Sequence, residues 1–91
     1  MEHTAEVLET QGDYSLIRWS GRKFPGLLMQ GDTLSILVSD ARELEELIDA
    51  GDLEEARAAA HELLRSLSVM QRSYEEMMKL AGVKLPYAPH S

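Results

Sequence analysis

Ninety-one residues with no cysteine and a net charge of −7 describe one small domain, with neither a disulfide framework nor a thiolate metal site to stabilise it. A chain this short buries only about 60–65% of its unfolded surface, so association with another chain is the expected aid. Residues 40–55 hold eight carboxylates against Arg42 alone and carry the whole net charge; that field repels phosphate backbones and argues against nucleic-acid binding there.

The first third reads as strand. Glu6 to Glu9 precedes the turn signal Gln11-Gly12-Asp13, and Tyr14 to Trp19 is rich in β-formers. Alternation places Tyr14, Leu16 and Arg18 on one face, with Ser15, Ile17 and Trp19 on the other. After the turn Ser20-Gly21-Arg22-Lys23, residues 24–30 form a third strand candidate, with Pro25 at a strand start, edge or bulge. These three strands (1–31) make an antiparallel meander.

From Thr33 the apolar period lengthens. Leu34, Leu37, Ala41, Leu44 and Ile48 predict a first helix over 32–50, capped by Asp32 or Thr33 and ended by Gly51. Asp52 opens a second helix (52–81), with Glu55 placed to complete a capping box. Its seam runs through Leu53, Ala56, Ala60, Leu63, Leu67, Met70, Tyr74, Met77 and Ala81, the 3-4 alternation of a packed helix. Gly82 stops it, with Val83 folding back on Met78. The predicted fold is α+β, a three-stranded meander followed by an antiparallel helical hairpin. It occupies residues 1–82, and 83–91 follow as an extended or disordered tail.

The helices differ in length, roughly 27 Å against 43 Å at 1.5 Å per residue. The overhang carries Met70, Tyr74, Met77 and Met78, which need the sheet or another chain to cover them. With Leu67 they are the expected interface of a homodimer. The carboxylates Asp40, Glu43, Glu45, Glu46, Asp49, Glu54 and Glu55 are the expected contact surface for a basic protein partner.

Catalytic and metal chemistry find no foothold. His61-Glu62 begins like a zincin helix, but Arg65 stands where the second histidine belongs. The acidic turn Asp49 to Glu55 lacks the ligand spacing of a calcium loop, and Asp52 and Glu55 already have capping roles. No nucleophile elbow, phosphate loop or dinucleotide fingerprint occurs. No enzyme, metal or cofactor is expected. The cluster Arg18, Trp19, Arg22, Lys23 and Phe24 mixes cations with aromatics, and three positive charges are too few to hold phosphates strongly. Trp19 and Phe24 are expected in the core. The start MEHTAEV lacks the apolar stretch of a secretory leader, and no apolar run approaches the ~20 residues of a membrane span. A cytoplasmic protein is expected.

The stretch Phe24-Pro25-Gly26-Leu27-Leu28-Met29-Gln30-Gly31-Asp32-Thr33-Leu34 resembles the HicB-type antitoxins, in which a strand with a Pro-Gly step runs into a helix through Gly-Asp-Thr/Ser-Leu. The resemblance covers roughly residues 5–48 and implies a small sheet-plus-helix unit that contacts a toxin. The chain departs from that family at Ile36, where an acidic residue is common, and has neither a fourth strand nor a DNA-binding extension. As a whole it is also similar to short uncharacterised bacterial proteins carrying Phe-Pro-Gly, Gln-Gly-Asp-[Ser/Thr]-Leu, an acidic helical hairpin and a terminal Leu-Pro-Tyr, here Leu85-Pro86-Tyr87. The expected function is a non-enzymatic, antitoxin- or immunity-like module that masks a basic partner. The alternative is a self-associating adaptor paired through the second helix.

Overall fold

The computed structural model describes residues 4–88. Its elements are β1 (Ala5–Gln11), β2 (Tyr14–Trp19), β3 (Gly26–Leu28), α1 (Gly31–Asp49) and α2 (Leu53–Leu80). Three antiparallel strands in the order β1-β2-β3 precede two helices, the α+β order expected. The third strand is shorter than its composition suggested, three residues entered from a buried Pro25. Among the described residues the chain divides into two compact units, 4–29 with 71–88, and 30–70. Helix α2 contributes to both. No helix of the described residues is long and apolar enough to cross a membrane.

In the first unit, pleating sorts the strand residues into two faces. Leu16 pairs with Leu27 across β2–β3, and Gln11 with Tyr14 across β1–β2; these belong to the inner face. A register shift between Val7 and Glu9 is a β-bulge that frees Leu8 from pairing, and Leu8 packs inward. Leu16, Met77 and Met78 are completely buried, surrounded by Leu8, Tyr14, Leu27, Tyr74, Ala81, Val83 and Leu85. Each such side chain contributes about 1.5–3 kcal/mol by leaving water. Two polar ties register the last turns of α2 against the sheet: Ser73 donates to Gln11 Oε1 at 2.8 Å, and Tyr74 donates to the carbonyl of Pro25 at 2.8 Å.

The segment after α2 is extended as expected, yet it is anchored. Val83 and Leu85 pack on the core, and the Tyr87 ring stacks on Tyr74 with centroids 6.4 Å apart. Residues 89–91, the rest of the expected tail, lie outside the described residues. At Gly82 (φ 71°) the N–H donates to the Lys79 carbonyl, and the Val83 N–H to that of Met78. This is a Schellman stop with its apolar contact.

In the second unit α1 ends the same way. Gly51 (φ 75°) donates to Ile48 and Asp52 to Leu47, so the chain reverses through Ala50-Gly51-Asp52. Asp52 then caps α2, its Oδ1 accepting from the Glu55 N–H at 3.2 Å. The reciprocal half of a capping box cannot form, because the Asp52 N–H already serves the Schellman turn. The start of α1 also differs from expectation. Gln30 occupies the cap position without a side-chain bond, and Asp32 turns its carboxylate to the adjacent Thr33 N–H. Asp32 still places negative charge in the first turn, where the helix dipole favours it.

The inward stripe of α1 is not the predicted one. Thr33, Leu37, Asp40, Leu44 and Leu47 are half-buried, whereas Leu34, Ala41 and Ile48 are exposed. The two stripes differ by a small rotation about the helix axis and share only Leu37 and Leu44. On α2 the inward positions are Ala56, Ala59, Ala60, Leu63, Ser66 and Met70, so small residues line the hairpin's first turns. No residue of α1 is fully buried.

Candidate functional site

The hairpin carries an acidic groove on one side. Asp40 and Glu43 of α1 and Glu55 and Glu62 of α2 stand around a floor made by Ala58 and Ala59, enclosing about 330 Å³. The short alanine side chains create the depression, and the carboxylates rim it because helical spacing at 100° per residue returns Asp40 with Glu43, and Glu55 with Glu62, to one side of each helix. The sole ion pair among the described residues joins Glu62 to Arg65 at 3.8 Å, with both side chains well exposed. It neutralises little, and Asp40, Glu43 and Glu55 have no cationic partner there. The carboxylates do not converge: among the described residues no three acidic or histidine side chains are placed to hold a metal ion. The groove instead sets an apolar alanine floor beneath spaced carboxylates.

Of the expected partner-binding residues, this groove gathers Asp40, Glu43 and Glu55. Glu45, Glu46, Asp49 and Glu54 are exposed but do not line it. Glu62 does line it. It sits beyond the charge run, and the signal that could have found it is its position seven residues, two turns, after Glu55 on the same face. His61 is exposed, while His3 and His90 lie outside the described residues.

A second concavity lies on the outer face of the sheet. Ile17, Trp19, Arg22, Phe24, Gly26, Leu27 and Leu28 bound a shallow apolar groove of about 320 Å³. The expectation that Trp19 and Phe24 sit in the core is incorrect, since they are 48% and 38% exposed. Alternation explains it. Leu16 takes the core side of β2, so Ile17 and Trp19 must point the other way. Lys23 lies over the Phe24 ring, 5.4 Å from its centroid.

The model of a family of unknown function, DUF6959, matches residues 1–87. The chain belongs to that family. No curated protein and no solved structure matches it. In this member of DUF6959 the Gly31-Asp32-Thr33-Leu34 junction opens helix α1.

The residues expected at an oligomer interface fall in different places. Met77 and Met78 are completely buried and Met70 nearly so. The inner face of the sheet covers the two core methionines within the chain itself, leaving a second copy no access to them. Tyr74 is half-buried and tied to Pro25. Leu67 is 45% exposed and available.

Proposed function

We propose that this is a non-enzymatic cytoplasmic module, antitoxin- or immunity-like in action, whose acidic groove holds a Lys- or Arg-rich segment of a protein partner. The observation that carries this reading is the set of four carboxylates, Asp40, Glu43, Glu55 and Glu62, standing over an alanine floor. A lysine or arginine stem lies on Ala58 and Ala59 while its head donates charge-assisted hydrogen bonds to the carboxylates of the rim. The remaining carboxylates of residues 40–55 steer a cationic partner toward the groove, an effect that salt screens.

The test compares the tagged full chain with a twin carrying Asp40→Asn, Glu43→Gln, Glu55→Gln and Glu62→Gln. An oligoarginine peptide serves as the defined probe, and cell lysate as the source of natural partners. The native chain should bind the peptide with an on-rate that falls at least tenfold between about 50 and 200 mM salt, and the twin should lose most of that binding. It should also retain from lysate a basic protein that the twin does not. Equal binding by both forms, or an on-rate indifferent to salt, would sink the groove as the contact site.

The alternative reading, a self-associating adaptor paired through α2, has its support at Leu64 and Leu67, which are 62% and 45% exposed.

A further inference from the structure

Opposite the acidic groove the same hairpin is apolar. At 100° per residue, Leu34, Val38, Ala41 and Ile48 fall within an arc of about 80° on α1, and Leu53, Ala60, Leu64 and Leu67 within about 60° on α2. Each arc lies on the far side of its helix's inward stripe from Glu43 or Glu62. The helices run alongside each other in opposite senses, so the two arcs join into one ridge. Apart from Ala60, which is half-buried, its members are exposed, with Leu53 and Leu64 the most open.

We propose that this ridge is the interface with a second copy of the chain, forming an antiparallel four-helix bundle with the hairpin tips together and the acidic grooves outward. The proposal rests on the self-association reading and relocates its surface from the core methionines to both helices of the hairpin.

Three features select a second copy as the occupant. The ridge runs the length of the hairpin at helical spacing, which suits another pair of helices packed ridge into groove. Its six large side chains, each roughly half-exposed, leave on the order of 50 Å² apiece of apolar surface in water. Together they supply about 300 Å², roughly two-thirds of the apolar share of the roughly 800 Å² that one partner contributes to a standard interface. The charges on the ridge are self-complementary. Glu45 interrupts the arc on α1 and Arg57 flanks it on α2, each six residues from Gly51. A two-fold axis parallel to the helices lays α1 of one copy over α2 of the other, and so sets Glu45 against Arg57 twice.

Sedimentation equilibrium of the full chain reads the outcome, with helix content followed by circular dichroism. The native chain should be a dimer of about 20 kDa at tens of micromolar, twice its 10.2 kDa mass. Leu64→Glu should raise the dimer dissociation constant at least about 100-fold with helicity unchanged, since the change enters the interface twice. Glu45→Arg alone should weaken the dimer about tenfold, and the swap Glu45→Arg with Arg57→Glu should restore it. That rescue stays informative even if Leu64→Glu perturbs folding. Glu43→Gln with Glu62→Gln should leave the dimer intact. A native chain that remains monomeric at high micromolar concentration overturns self-association altogether and assigns the ridge to a foreign helix. A dimer that survives both Leu64→Glu and Glu45→Arg overturns the ridge alone, leaving self-association to another surface.

Discussion

Tyr74 shows how one side chain can join distant parts of a sequence. Its ring stands among the core residues, its hydroxyl reaches the Pro25 carbonyl, and Tyr87 stacks on it. Proline gives its neighbourhood no N–H to offer, but its carbonyl is a full acceptor, and a buried acceptor left unpaired is costly. Tyr74→Phe should therefore lose about 1 kcal/mol in urea unfolding. The phenol also couples stability to pH. Burial pushes the Tyr74 pKa above its ordinary value of 10.0, and burial followed by the Glu75 contact does the same for Tyr87. The folded state thus holds these protons more tightly than the unfolded chain. The stabilisation is fully present below pH 10 and is lost as pH rises through the folded-state values. Urea midpoints measured from pH 8 to 11 should fall above pH 10 in the native chain, and fall less in Tyr74→Phe. None of this was legible in the sequence beyond a tyrosine at a seam position, because the partners lie 49 and 13 residues away along the chain.

The helix ends are the features most fully encoded locally. Gly51 and Gly82 stop their helices in the left-handed conformation, and Asp52 caps the start of α2 as its residue type suggests. Asp52→Ala should cost about 1 kcal/mol, read by thermal unfolding, whereas Asp32→Ala should cost only the few tenths attributable to the dipole, since Asp32 bonds its own neighbour. The predicted cap at Asp32 or Thr33 failed because the helix begins at Gly31, which puts Gln30, two residues before Asp32, in the cap position. The rotation of the α1 stripe has a related origin. That helix is apolar over more than half its circumference, from Ile36 through Leu47, Leu44, Leu37 and Ile48 to Val38, so periodicity alone cannot choose which part faces α2. The inward stripe of α2 there consists of the small residues Ala56, Ala59 and Ala60.

At the scale of the whole molecule, surface chemistry is divided by side of the hairpin. Carboxylates gather around Ala58 and Ala59, leucines opposite them, and α1 by itself fully buries nothing. A helix in that condition depends on what covers it. If a second copy does, amide hydrogen exchange in α1 should slow as protein concentration rises, because dimerisation adds its free energy to local stability. Exchange at Met77 and Met78, protected by the intrachain core, should depend far less on concentration. Equal exchange in α1 at 5 and 500 μM would contradict a dimer that uses this helix.

The sequence by itself determined the element types and order, the position of both helix stops and the concentration of acid on the hairpin, since each follows from local propensity or short-range period. It could not decide which carboxylates share a groove, that Glu62 joins them, that Trp19 and Phe24 face outward, or which methionines the sheet would cover. Those outcomes depend on how far each helix rotates and which face of the sheet meets α2, and packing between residues far apart in the chain decides both.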